Sequence, residues 1–154
     1  MSNTAWARVR QDLHRIAELS EHEHKTAERI AKELRPFQPD LLIENLGGTG
    51  VAAVFEGEQP GKTLLFRAEL DALPIQEIND FDHKSETEGV SHKCGHDGHM
   101  TTLLALAEKL KRENLPDKGR AVLLFQPAEE NGEGAKAILA DPKFEQIEPD
   151  EVFS

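Results

Sequence analysis

Apolar positions at the start of the chain, Trp6, Val9, Leu13, Ile16 and Leu19, recur at steps of three and four. That is the helical period, and it predicts an amphipathic helix beginning near Thr4. Ser20-Glu-His-Glu23 then has the form of a capping box, with Ser20 placed to accept from the third backbone N–H and Glu23 to reach back. Ala27, Ile30 and Leu34 carry a second helical stripe that stops near Pro36. From Asp40 the period changes. Residues 40–46 and 51–55 read as two short strands around Gly47-Gly-Thr-Gly50, a turn whose glycines tolerate positive φ. After Glu58-Gln-Pro-Gly61, the unbroken apolar run in 62–70 (KTLLFRAEL) is expected as a buried strand, running into the acids Glu69 and Asp71.

Residues 75–93 are polar and aperiodic, which predicts a long loop of the kind that carries function in compact domains. Leu103, Leu104, Leu106, Ala107 and Leu110 restore the helical period, Pro116 and Gly119 break it, and residues 120–126 return as a buried strand. A short helix over 132–140 and the first half of a strand over 150–154 complete the pattern. Helices alternating with strands in this order predict an α/β sheet flanked by helices. A strand stopped after Val152 and Phe153 leaves an apolar face without neighbours, so the chain is expected to be the N-terminal portion of something longer.

The chain has 154 residues, with 18 Lys and Arg against 29 Asp and Glu, a net charge of -11. With 38% hydrophobic residues it can bury a core. The acidic balance, with no Lys/Arg cluster, argues against nucleic acid as a partner. The longest apolar runs, 102–107 and 121–125, fall far short of the ~20 residues that a membrane span needs. The first residues lack an apolar signal core, so a cytoplasmic location is expected.

A lone cysteine, Cys94, excludes an internal disulfide. It lies in Ser91-His-Lys-Cys-Gly-His-Asp-Gly-His-Met100, which packs three histidines, a cysteine and an aspartate into ten residues. Thiolate and imidazole are preferred zinc ligands, and Cys-x-His with a glycine between lets one loop turn both donors onto one ion. Cys94 and His96 are therefore candidate metal ligands. A helix expected to begin near His99 would present its positive end to Cys94 and favour the thiolate. The second constellation is Phe125-Gln-Pro-Ala-Glu-Glu130, an acidic pair just past a buried strand, where open α/β sheets place active-site groups. One carboxylate can bind a metal and the other serve as general base, though spacing does not say which. In Arg67-Ala-Glu-Leu-Asp-Ala-Leu-Pro74, Asp71 is a candidate to hydrogen-bond the free ring nitrogen of a metal-bound histidine, and His99 is a further candidate behind the ligands. His14, His22, His24 and His83 are expected to be solvated. Gly47-Gly-Thr-Gly50 lacks the lysine and spacing of a phosphate loop.

RAELDALP (67–74), HKCGHDGH (92–99) and FQPAEE (125–130), in that order, resemble the N-terminal half of an aminoacylase-type metallopeptidase, in the branch of hippurate hydrolase and indole-acetyl-amino-acid hydrolase. The resemblance implies a mixed sheet in a zinc-peptidase (phosphorylase/hydrolase-like) catalytic domain, present here in part over 1–154. It implies two divalent metal ions, manganese or zinc, and hydrolysis of an N-acyl-amino acid by a metal-bridging hydroxide. Cys94, His96 and Glu130 match ligand positions and Glu129 matches the general base. Two further histidine ligands and an inserted domain carrying dimer contacts would lie outside these residues, so the isolated chain is expected to have little activity and the full-length form to be a homodimer. The family often carries Asp at the position of Glu69 and a short polar residue at that of Lys93. Two rival readings are a structural site, with Cys94, His96, His99 and Glu130 closed around one ion, and a partner chain that pairs with a complementary C-terminal half.

Overall fold

The computed structural model describes residues 1–154, the side chain of Asn3 excepted. Two helices, α1 (Asn3–Arg15) and α2 (His24–Leu34), precede an antiparallel hairpin of β1 (Leu41–Leu46) and β2 (Gly50–Glu56). Then follow β3 (Gln59–Glu69), α3 (His96–Glu113), β4 (Lys118–Gln126), α4 (Gly134–Ala140) and the short β5 (Glu151–Phe153). The strands form one sheet in the order β1-β2-β4-β3-β5. β2 and β4 are antiparallel, whereas β3 runs parallel to both β4 and β5, so the sheet is mixed, as the motifs implied.

Alternation along the strands splits the core between the two faces of the sheet. Val51, Ala53, Phe55, Leu123 and Phe125 meet Leu13, Ile30, Leu34, Met100 and Leu104 of the first three helices. Ala52, Val54, Val122 and Leu124 turn the other way, toward Ile138 of α4 and Ile147. Fully burying a side chain such as Phe125 contributes about 2–3 kcal/mol. Among the described residues no helix is long and apolar enough to cross a membrane.

Three local expectations are corrected. The first helix ends at Arg15, before Ile16 and Leu19, because the chain there pairs with the segment after β3: Ala72 N–H donates to Glu18 O at 2.8 Å and Leu19 bridges to Ala72. Ser20 and Glu23 do not form a capping box. Glu23 is itself the residue preceding α2 and makes no side-chain cap bond, while the Ser20 hydroxyl donates to Asp71 at 2.7 Å. Finally, β3 is not buried throughout: Leu64, Phe66 and Arg67 are half-buried, because the strand's outer neighbour, β5, is only three residues long and is itself exposed.

Candidate metal centre

The parallel strands β3 and β4 deliver their C-terminal ends side by side, with Glu69 paired to Gln126. Asp71 follows one strand and Glu129 and Glu130 follow the other. Between them α3 begins at His96, three residues earlier than its apolar stripe indicated, after Gly95 at φ +92°. A side chain at position 95 would be strained at that angle, so glycine makes the sharp entry from Cys94 to the helix possible. The three motifs, far apart in sequence, thus meet at the C-terminal ends of two interior strands.

His96 is buried, and its Nδ1 lies 2.8 Å from the Asp71 carbonyl and 3.4 Å from Asp71 Oδ1. In the neutral ring, with Nδ1 donating to that carbonyl, the lone pair lies on Nε2. This nitrogen faces Glu129 Oε2 and Glu130 Oε1, both at 3.8 Å, and Glu69 Oε2 at 3.9 Å. Ligand atoms of Cys94, His96 and Glu130 all lie within 4.8 Å of one another, as do those of Glu69, His96 and His99. Asp71 has no exposed side-chain surface; its Oδ2 accepts from Ser20 Oγ (2.7 Å) and the Glu130 amide (2.9 Å), and so ties the two acidic segments together. His99 projects from the first turn of α3, its side chain 58% exposed and its Nδ1 2.8 Å from Glu69 Oε2. Glu69 is held from its other oxygen by Arg67, at 2.9 Å.

The surrounding carboxylates favour positive charge at the centre, whether a protonated imidazole or a metal ion in its place. Burial alone would lower the His96 imidazole, but hydrogen bonding to the side chain and backbone of Asp71, with Glu69 nearby, outweighs it and pushes the pKa up to about 9. Burial would likewise raise the Asp71 carboxyl, yet the bonds from His96, Glu130 N–H and Ser20 bring it below its usual value. The Cys94 side chain is exposed, and desolvation and then the carboxylates of Glu130, Glu129 and Glu69 push the pKa of its thiol up, opposing the helix end. Glu130 Oε1 is buried with no hydrogen-bond partner among the described residues. An acceptor left unpaired beside a thiol and an imidazole is what a divalent cation would satisfy, so the donor set fits a metal.

Three supporting residues escaped the sequence reading. Glu23 is fully buried; its Oε1 accepts from the Ala128 amide and its Oε2 from Thr49 Oγ1, each at 2.7 Å. It thereby holds Ala128 at φ +48°, an unusual angle for a residue with a Cβ, just ahead of Glu129. Ser20 supports Asp71, as above. His14, expected to be solvated, is buried between Asp97 and Glu77. For Glu23 and Ser20 the local pattern pointed to a helix cap instead. For His14 the available signal was its place four residues after Arg10, beside the apolar stripe.

A mixed α/β sheet whose parallel strand ends bring paired Glu donors up to a Cys and a His at the start of α3 defines the class: an α/β domain built around a candidate metal site. Residues 65–154 match the Peptidase family M20/M25/M40, and the chain belongs to that family. Hippurate hydrolase of Campylobacter jejuni is 41% identical over 146 residues, covering 95% of this chain and 37% of that protein. An IAA-amino acid hydrolase of Arabidopsis thaliana (ILR1-like 6) is 41% identical over 148 residues, covering 95% of this chain and 31% of its own length. The crystal structure of the Bacillus subtilis YXEP protein, described as a dinuclear metal binding peptidase from the M20 family, superposes with a TM-score of 0.82 at 35% identity, covering 88% of this chain and 38% of that one. The chain thus spans a little over a third of the length of the first relatives it matches. The resemblance carried by the three motifs is borne out.

Proposed function

We propose that these residues form part of the active site of a metal-dependent amidohydrolase that cleaves the amide bond of N-acyl-amino acids, with hippurate-like substrates in view. The observation that carries this reading is the convergence of Cys94, His96 and Glu130 within 4.8 Å, with Glu129 Oε2 3.8 Å from the same imidazole nitrogen. The names of the relatives support the substrate class, and the dinuclear description of the Bacillus protein supports two divalent cations.

Cys94, His96 and Glu130 would hold the metal, manganese or zinc. When bound, it supplies Lewis-acid polarisation of the amide carbonyl and makes a water more acidic. Glu129, with its side chain 38% exposed, is open to the substrate side. As general base it takes a proton from the attacking water and returns it to the nitrogen of the leaving amino acid as the C–N bond breaks. Asp71 holds the His96 ring with Nε2 toward the centre and, through the Glu130 amide, sets the distance between the two motifs. His99 stands at the rim, oriented by Glu69. Three of the five ligands that the resemblance implies are in these residues, so the 154-residue chain alone is proposed to turn over little substrate.

Metal content measured by mass spectrometry tests the assignment. The purified protein should carry near-stoichiometric manganese or zinc, Cys94→Ser should lose most of it, and Glu129→Gln should keep it. Where hydrolysis of an N-acyl-amino acid is measured, Glu129→Gln should lower kcat by about 10²–10⁴-fold. Equal metal in the wild type and Cys94→Ser would remove Cys94 from the ligand set.

A further inference from the structure

His14, in the last turn of α1, belongs to neither donor group, yet its ring is buried and both nitrogens are engaged. Nδ1 lies 3.0 Å from Asp97 Oδ2, and Nε2 lies 3.1 and 3.3 Å from the two oxygens of Glu77. Both carboxylates are buried and both are bonded onward. Asp97 also receives Arg10 Nε at 3.1 Å. Glu77 accepts from the Ser85 amide at 2.7 Å, from Asn79 Nδ2 at 2.9 Å and from Lys93 Nζ. The two ends of this chain of contacts are notable for where they fall in sequence. Asp97 immediately follows His96, and Lys93 immediately precedes Cys94.

We propose that His14 is a positioning residue for the metal-holding loop. One imidazole clamps the neighbour of His96 on one side and, through Glu77, the neighbour of Cys94 on the other. It thereby sets the separation of the two donors. The inference rests on the reading of Cys94 and His96 as metal ligands. The loop needs such a device: Cys94 lies outside any helix or strand, between Lys93 and a glycine in the left-handed region, so its backbone has no ladder to hold it. Ligand geometry tolerates displacements of only a few tenths of an ångström, and groups that orient metal ligands typically change metal affinity 10–100-fold when removed.

Cobalt(II) titration of the purified protein, read through thiolate-to-cobalt absorption, tests this. His14→Ala should weaken cobalt binding about 10–100-fold and reduce the thiolate band, and added imidazole, entering the space left by the ring, should restore both. Leu34→Ala, a core change on α2 remote from the loop, should lower the thermal midpoint at least as much while leaving cobalt affinity at the wild-type value. His14→Asn, which keeps a donor for Asp97, should fall between wild type and alanine and serves if the alanine variant does not fold. Wild-type affinity and spectrum in His14→Ala, or a loss matched by Leu34→Ala at the same midpoint, would overturn the proposal. A wild-type protein that takes up no cobalt would overturn the ligand assignment and this inference with it, a result distinct from binding that is indifferent to His14.

Discussion

At position 23 one carboxylate accepts from the backbone of the Pro-Ala-Glu-Glu turn and from Thr49 of the hairpin, with no water-exposed surface of its own. Truncating it would leave the Ala128 N–H buried without a partner and release a backbone angle that the turn holds against its preference. We expect Glu23→Ala to cost about 2–3 kcal/mol in urea unfolding and to reduce metal uptake, because Glu129 and Glu130 hang on that turn. Glu23→Gln, which keeps one acceptor oxygen, should cost less. The same residue shows why a local reading misplaces such groups. A Ser-x-x-Glu ahead of a helix is a sound capping signal, but in the fold Ser20 is diverted to Asp71 beyond β3 and Glu23 to the turn at Ala128, both far along the chain.

Among the elements, the turn between β4 and α4 is the most tightly constrained. A Cβ on Gly134 would stand 1.6 Å from the Pro127 carbonyl oxygen, with no flexible side chain to move aside, and the Gly134 amide donates to Ala128 O at 2.9 Å. Glycine at 134 is thus what lets α4 start against the acidic pair. Gly134→Ala should displace the turn, lowering the thermal midpoint by several degrees, an effect of roughly 1–3 kcal/mol, and should lower metal content together with it. A protein of unchanged midpoint and metal content would show that the turn relaxes freely. The strands themselves were legible from their apolar runs, and the hairpin from its glycines. The start of α3 was not, because His96, Asp97 and Gly98 carry no apolar stripe, although the first turn they form brings His96 to the centre.

On the scale of the whole molecule, the buried acid Glu77 ties α1, the long loop and the metal loop together. Burial alone would raise its carboxyl, but Lys93, the Ser85 amide, Asn79 and His14 outweigh that and hold its pKa at about 2, against 4.5 for an ordinary glutamate. A pKa depressed in the folded state gives stability that is fully present above the unfolded value and is lost as pH falls through the folded one. Glu77 should therefore contribute on the order of 2 kcal/mol near neutrality, after allowing for the solvent that reaches Lys93. This contribution should fade between about pH 4.5 and pH 2. Urea midpoints of the wild type and Glu77→Gln should differ at pH 6 and converge toward pH 2.5; a gap that persists at low pH would remove Glu77 from the acid response.

The chain order carried what depends on local chemistry: helical and strand periods, the glycine turn, and a cysteine-histidine loop and acidic pair whose residue types name their chemistry wherever they fold. It also carried the family, because three such motifs in order leave few alternatives. The tertiary structure decided which groups support them. Ser20, Glu23 and His14 look like caps or surface residues along the chain, since a polar side chain near a helix end is satisfied equally well by solvent or its own backbone. Packing of the first two helices over the ends of β3 and β4 removes the solvent and leaves Asp71, Ala128 and Asp97 as their partners. The surroundings of Cys94 were decided the same way: the end of one helix is visible in sequence, but the three carboxylates that oppose it, pushing the thiol pKa up, come from two separate strand ends and meet only in the fold.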